Sequence, residues 1–195
     1  MAKLTLDDIA DLREYERERE EFRRHIIDLK KRRRIGVGPI VTLVFENRDT
    51  IRFQIQEMSR VEKLISDAAI ETELRIYNPL IPDPGSLCTT MFIELTDDVE
   101  MREWLPKLVG IETCIEIRLT NGDVVSCVVD PDHARQLTRE DTTAAVHYVH
   151  FTFTPDQIIE FSRGGARLAV AHANYEHVGE LTDASVSELL ADLRC

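Results

Sequence analysis

The chain has 195 residues and a mass of 22.4 kDa, the size of one domain or of one domain with an appendage. Hydrophobic residues make up 43% and charged residues 31%, with 8 Gly and 7 Pro, so collagen-like, low-complexity and wholly disordered chains are excluded. The net charge of −12 argues against general binding to nucleic acid or to an anionic membrane, because an acidic surface repels phosphate.

Residues 1–34 predict an N-terminal helical segment with a basic end. Thr5 can cap a first helical piece over about 6–16, and apolar residues at helical spacing predict a second piece over about 20–33. We expect a bend between the two pieces, because the charged run Glu16–Glu21 offers no apolar face.

The basic end is the one place where the charge of the chain favours an anion. Residues 23–34 carry seven cations and one anion. A phosphate or an acidic partner could bind here, or the cations could pair with the protein's own acidic surface. The candidates are Lys30, Lys31, Arg32, Arg33 and Arg34.

Residues 35–195 predict an α+β globular domain. Alternating apolar residues at 41–45 and 51–55 predict a first antiparallel hairpin with its loop at Asn47–Asp49. From 57 to 77 the apolar spacing becomes helical, with a possible restart at Ser66-Asp67, and the prolines that follow indicate an irregular loop.

The second half of the chain repeats this mixture of strands and helices. Asn121-Gly122 predicts a two-residue turn that joins strands 114–119 and 124–129, in a register that places Cys127 opposite Glu116. The other expected elements are a strand at 88–95, a helix at 97–109, a polar loop at 130–142, a strand at 145–153, a helix opened by Thr154-Pro155, a strand at 166–172 and a helix at 182–193. We therefore expect a single α+β domain with two antiparallel hairpins and further strands in mixed sheets, packed by helices.

Cysteine usage and the N-terminal sequence indicate a cytoplasmic protein. Cys88, Cys114, Cys127 and Cys195 show no Cys-x-x-Cys spacing, and no apolar run approaches the roughly 20 residues that span a bilayer. The first residues lack the apolar core and cleavage site of an export signal. Free thiols in a reducing cytoplasm are the simplest interpretation.

One polar cluster follows the strand predicted at 166–172. In His172-Ala-Asn-Tyr-Glu-His177, the two imidazoles are candidate metal ligands, and Asn174 and Tyr175 are candidates for binding another ligand. The alternative is a capped strand end with exposed polar residues.

A second polar cluster lies between the first predicted hairpin and the helix that follows. Gln54, Gln56, Glu57 and Arg60 could form the polar floor of a binding site or only a sheet-to-helix corner. Glu57 and Arg60 are one helical turn apart and can pair. A third pair, His147 and His150, points to opposite faces of a strand and cannot chelate one ion, so we expect His147 to be a hydrogen-bonded core residue.

The chain contains none of the common catalytic motifs. It has no Gly-rich phosphate loop, no Gly-x-Ser-x-Gly elbow, no His-Glu-x-x-His helix and no Glu-x-x-His pairs of a di-iron bundle. The sequence assigns no cofactor and leaves open whether the protein is an enzyme, although this absence favours a non-catalytic role.

Several segments resemble a bacterial family called domain of unknown function 3501. The most specific run extends from Lys30 to Met58 and includes Leu43-Val-Phe-Glu-Asn-Arg-Asp-Thr50, and Tyr77-Asn-Pro-Leu-Ile-Pro82 and Asn174-Tyr extend the likeness. The resemblance implies a stand-alone cytoplasmic protein, often encoded beside a rubrerythrin-like protein and iron–sulfur reductase subunits, and it implies no activity. Relatives carry a proline near Glu20 that supports the helix break, and this chain has none there.

Three functional hypotheses follow. The leading one is a non-catalytic accessory or interaction protein that serves a rubrerythrin-like or electron-transfer partner. The second is a small metal- or haem-dependent enzyme with a site around His172–His177 that also uses Tyr175 and Glu57. The third is binding of RNA or a nucleotide through Lys30–Arg34, where the aromatic residues that would stack on bases are lacking.

Overall fold

The computed structural model describes residues 1–129 and 141–194. The helices are α1 (Leu12–Arg33), α2 (Arg48–Glu62), α3 (Asp67–Tyr77), α4 (Asp98–Trp104), α5 (Pro155–Phe161) and α6 (Asp183–Arg194). The strands are β1 (Arg34–Val37), β2 (Val41–Glu46), β3 (Ser86–Ile93), β4 (Ile115–Arg118), β5 (Val124–Ser126), β6 (Val146–Thr152), β7 (Arg167–His172) and β8 (Tyr175–Glu180). Short 3₁₀ turns at Leu6–Asp8, Asn78–Leu80, Leu105–Leu108 and Ile111–Thr113 complete the described elements.

The strands form two four-stranded sheets, with the orders β1-β2-β3-β6 and β5-β4-β7-β8. Every pair is antiparallel, where the sequence led us to expect mixed sheets. The single α+β domain with an N-terminal helix is confirmed.

Two apolar clusters hold the layers together. The larger one lies between the two sheets and includes buried residues of α5 and α6, among them Phe161 and Leu189. The smaller one lies between α2, α3 and the other face of the first sheet, around Ile51 and Ile55. Strand β2 is therefore buried on both faces, which explains its nearly continuous apolar sequence.

The predicted hairpin between 41–45 and 51–55 is wrong. Residues 51–55 lie in α2, and the partner of β2 is β1. Asn47 caps α2 by accepting from the backbone N–H of Thr50, whose hydroxyl accepts from the N–H of Asn47 in return. Ile51 and Ile55 then stand one helical turn apart on the buried face, so their spacing fits a helix as well as a strand.

The predicted bend within the N-terminal segment is also wrong, since α1 runs without a break from Leu12 to Arg33. The chain turns earlier, before Asp11, whose side chain caps α1 by accepting from two backbone N–H groups. The charged run remains helical because α2 supplies partners for it, as in the ion pairs Arg19–Glu57 and Glu18–Arg52.

The second hairpin is confirmed, but its register differs by one residue. Ser126 and not Cys127 lies opposite Glu116, because the loop contains three residues and ends with Gly122 at φ +94°. The sequence missed β8, which follows β7 after a turn at Ala173-Asn174. Most of the polar loop expected at 130–142 lies outside the described residues.

The helix expected at 97–109 is shorter, since α4 ends at Trp104 and a 3₁₀ turn at Leu105–Leu108 follows it. Other expectations agree with the structure. α2 and α3 are separated near Ser66-Asp67, Thr154 and Gln157 form a capping box on α5, and Cys88, Cys114 and Cys127 are free thiols. Cys195 lies outside the described residues. None of the helices within the described ranges combines the length and hydropathy needed to span a bilayer.

Candidate functional site

Glu57 connects α1 and α2 through a compact polar network. Its carboxylate accepts from the Tyr15 hydroxyl at 2.8 Å, and from Arg19 at 2.7 and 3.0 Å. Arg60 donates to it at 3.3 and 3.2 Å, which confirms the expected pairing within one turn of α2. Hydrogen bonds from Arg19, partly opposed by burial, together with those from Arg60 and Tyr15, lower the pKa of Glu57 from 4.5 to about 2.

The neighbouring glutamines have separate environments. Gln56 is fully buried, accepts from the backbone N–H of Ala10 at 2.7 Å and donates to its carbonyl at 3.2 Å. It therefore fixes the turn that precedes α1. Gln54 is exposed on the side of α2 opposite to Gln56, and it lines a cavity that none of the other three residues reaches. The four candidates Gln54, Gln56, Glu57 and Arg60 therefore do not share one site.

Tyr175 is placed as a core residue. Its buried hydroxyl donates to the carbonyl of Val37 at 2.6 Å and accepts from the backbone N–H groups of Ile40 and Val41 at 3.1 and 3.2 Å. Burial raises the pKa of this phenol. Asn174 lies in the turn before it and donates to the carbonyl of Lys107 at 2.8 Å.

The two metal candidates are placed differently. His172 Nε2 lies 3.1 Å from the Val109 carbonyl and donates to it, while Nδ1 accepts from the Asn174 N–H at 3.3 Å. Both ring nitrogens are therefore occupied. His177 is exposed and packs on Tyr175, with ring centroids 4.4 Å apart. Within residues 1–129 and 141–194, no three or more His, Cys, Asp or Glu side chains form a group that could hold a metal ion.

His147 fulfils its expectation as a core histidine. It is 1% exposed, and its Nε2 lies 2.9 Å from both the Thr143 hydroxyl and the Ala144 carbonyl. Burial lowers its pKa.

Most of the basic end is already neutralised by carboxylates of this chain. Arg33 is 1% exposed and binds Asp192 at 2.6 Å and Glu188 at 2.9 Å, both on α6. Burial opposes the charge of Arg33, but these two carboxylates outweigh it and raise its pKa. Lys31 pairs with Asp28, Arg32 with Asp28 and Glu188, and Arg34 with Glu94.

Lys30 is the exception among these five cations. It has no ion-pair partner in the described ranges and lines a cavity of 200 Å³, which we call the sheet pocket. The pocket lies between one face of the first sheet, α2 and the ends of α1 and α3. Its lining is Lys30, Glu46, Thr50, Ile51, Gln54, Tyr77, Leu80, Thr90, Phe92, Val146 and Tyr148. Two candidate residues from separate clusters, Lys30 and Gln54, thus meet here.

The remaining polar residues of the sheet pocket were not expected from the sequence. Glu46 is 7% exposed and accepts from the Thr90 hydroxyl at 2.7 Å. Tyr148 lies directly opposite Thr90 across β3 and β6, and burial, Tyr77 and Glu46 raise its pKa. A signal was present, since Glu46 is a charged residue at the end of a mostly apolar strand.

A second cavity, of 340 Å³, opens where the segment before α1 meets the α2–α3 corner, and we call it the corner groove. Its apolar lining is Leu6, Ile9, Ala10, Leu12, Leu64, Ile65 and Ile70. Ile65 is 86% exposed, and the polar part of the lining is Asp11, Arg13, Ser59 and Asp67. The sequence pattern did not reveal this groove, because the helical spacing over 57–77 led us to expect Ile65 on the buried face of a helix.

Comparison with known proteins gives the family. A family model described as "Protein of unknown function (DUF3501)" matches residues 3–193. The chain belongs to this family. The resemblance carried by the run from Lys30 to Met58 is therefore confirmed, and it extends over nearly the whole fold. A search of curated proteins finds no match.

One similar solved structure is a crystal structure of a novel protein of unknown function from Burkholderia pseudomallei. It is 31% identical, covers 98% of this chain and 100% of its own, and superposes with a TM-score of 0.90. The DUF3501 fold described above is thus shared by a relative of considerable sequence divergence.

Proposed function

We propose that this member of the DUF3501 family is a cytoplasmic, non-catalytic accessory protein that binds another protein through the corner groove. The observation that carries this proposal is the exposure of Ile65 in the lining of a mostly apolar cavity. An apolar cavity with an exposed rim is typical of a surface that receives an apolar anchor of a partner.

The placement of the polar candidates supports a binding role. Glu57, Gln56, Tyr175 and His172 are all held in hydrogen bonds that join one element of the fold to another. Their polar atoms stabilise the scaffold and do not converge on a common point. The partner that we propose is a rubrerythrin-like protein, because the family resemblance implies that members are often encoded beside one.

The experiment is a binding titration between the purified chain and that rubrerythrin-like protein, under reducing and under oxidising conditions. We expect Ile65→Asp to weaken binding by about thirtyfold, because a charge placed against the apolar anchor of the partner costs about 2 kcal/mol. Val99→Asp is the matched control, since Val99 is 73% exposed on α4, outside the groove. Absence of binding in both redox conditions, or equal binding by the two variants, contradicts the proposal.

A further inference from the structure

The sheet pocket contains two opposite charges that no other charge of the described chain neutralises. Neither Glu46 nor Lys30 forms an ion pair with a residue in the described ranges, although the four cations that follow Lys30, at positions 31–34, all do. Glu46 is nearly buried, and within the described ranges its side chain accepts one hydrogen bond, from the neutral hydroxyl of Thr90. A carboxylate in such surroundings is costly unless a cation approaches it.

Apolar and aromatic residues make up most of the remaining lining, beside the polar Thr50, Gln54 and Thr90. Phe92 and Val146 lie directly opposite each other on β3 and β6 and form part of its floor. Ile51 from α2 and Leu80 from the turn after α3 are 2% and 4% exposed and supply apolar walls. The cavity of 200 Å³ is small, so it suits a small molecule better than a nucleotide or a haem.

We infer that the sheet pocket binds a small α-amino acid with an apolar side chain. The ammonium group of such a ligand pairs with Glu46, its carboxylate pairs with Lys30, and its side chain contacts Phe92, Val146 and Ile51. A zwitterion neutralises both protein charges at once, whereas a simple amine or a simple carboxylate leaves one of them without a partner.

The position of the pocket gives it a structural connection to much of the fold. Lys30 is in the last turn of α1, Glu46 ends β2, and Tyr77 ends α3. A ligand held between Lys30 and Glu46 therefore bridges α1 to the first sheet. The site is separate from the corner groove, so its failure and the failure of the proposed partner interaction are distinguishable.

Isothermal titration calorimetry of the full chain at pH 7 tests the inference, with L-leucine, L-valine and L-methionine as probes. We expect saturable binding of at least one of them. For leucine, the two truncated analogues are 4-methylpentanoate, which lacks the ammonium, and 3-methylbutylamine, which lacks the carboxylate. Each should bind at least about tenfold more weakly than leucine.

Two variants assign the charges. Lys30→Met should weaken leucine binding at least about tenfold and leave 3-methylbutylamine unchanged. Glu46→Gln should weaken leucine to a similar extent and leave 4-methylpentanoate unchanged. Its amide oxygen can still accept from Thr90, which preserves the local fold, and circular dichroism verifies this.

Lys31→Met is the matched control, because Lys31 pairs with Asp28 and does not line the pocket. It should bind leucine as the unmodified chain does. The inference is overturned if none of the three amino acids binds, if the analogues bind as tightly as leucine, or if Lys30→Met and Glu46→Gln bind leucine without loss.

Discussion

The network around Glu57 makes acid stability a direct readout of the α1–α2 interface. The substitution Glu57→Gln removes the charge that Tyr15, Arg19 and Arg60 share, and retains the shape of the side chain. A carboxyl whose pKa falls from 4.5 to about 2 on folding contributes at most about 3 kcal/mol near neutral pH. Partial exposure of the network to solvent reduces this to about 2 kcal/mol.

The pH dependence has a defined sign. The pKa of Glu57 is lower in the folded than in the unfolded chain, so its contribution is complete above pH 4.5 and disappears as the pH falls towards 2. We expect Glu57→Gln to lower the free energy of unfolding by about 2 kcal/mol at pH 7 and by under about 1 kcal/mol at pH 3. Urea unfolding followed by circular dichroism at both pH values measures the difference.

The control for this prediction is Glu18→Gln. Glu18 forms a more exposed ion pair with Arg52 across the same interface and should contribute no more than about 0.5 kcal/mol. The reasoning is refuted if Glu57→Gln destabilises the protein equally at pH 7 and pH 3, or if the two variants are indistinguishable at pH 7.

Three further substitutions test the packing, each by urea unfolding at pH 7. Arg33→Met should lower the free energy of unfolding by about 3–5 kcal/mol, because it leaves the buried carboxylate of Asp192 without its cation. A loss below about 1 kcal/mol would show that the pair is not buried in solution. Gly38→Ala should lower the free energy of unfolding by more than about 2 kcal/mol, since a Cβ at φ +73° would lie 2.5 Å from Tyr175 Oη and from His177 Cγ. A neutral effect would contradict this close packing. Tyr175→Phe should lower the free energy of unfolding by about 2 kcal/mol, because three backbone groups lose the hydroxyl with which they form hydrogen bonds. Unchanged stability would mean that water replaces that hydroxyl.

Glu46 shows that the role of a residue can depend on the tertiary structure. In the sequence, Glu46 is only the polar end of an apolar strand. In the fold it shares a pocket with Lys30, 16 positions earlier in the numbering, and with Tyr148 from a strand far along the chain. Periodicity places residues on a face of one element, but it carries no information about which other element covers that face.

Alternation between apolar and polar residues also has two interpretations when the segment is short. Ile51, Phe53 and Ile55 alternate as in a strand, yet Ile51 and Ile55 are also one helical turn apart. The capping box at Asn47 and Thr50 decides for the helix, because it satisfies backbone N–H groups that a strand would have to pair elsewhere. The same ambiguity displaced the predicted first hairpin and, with it, the surroundings of Gln54 and Gln56.

The sequence by itself determined the α+β class, the capped start of α5, the hairpin at Asn121-Gly122 and the family, but not the capped start of α2. These features depend on local chemistry: side chains that satisfy neighbouring backbone groups, glycine at positive φ, and apolar spacing along one element. Only the tertiary structure decided that Arg33 is buried between two carboxylates while Lys30 is left beside Glu46. Charge pairing depends on distances between residues far apart in the chain, and those distances exist only after the layers have packed.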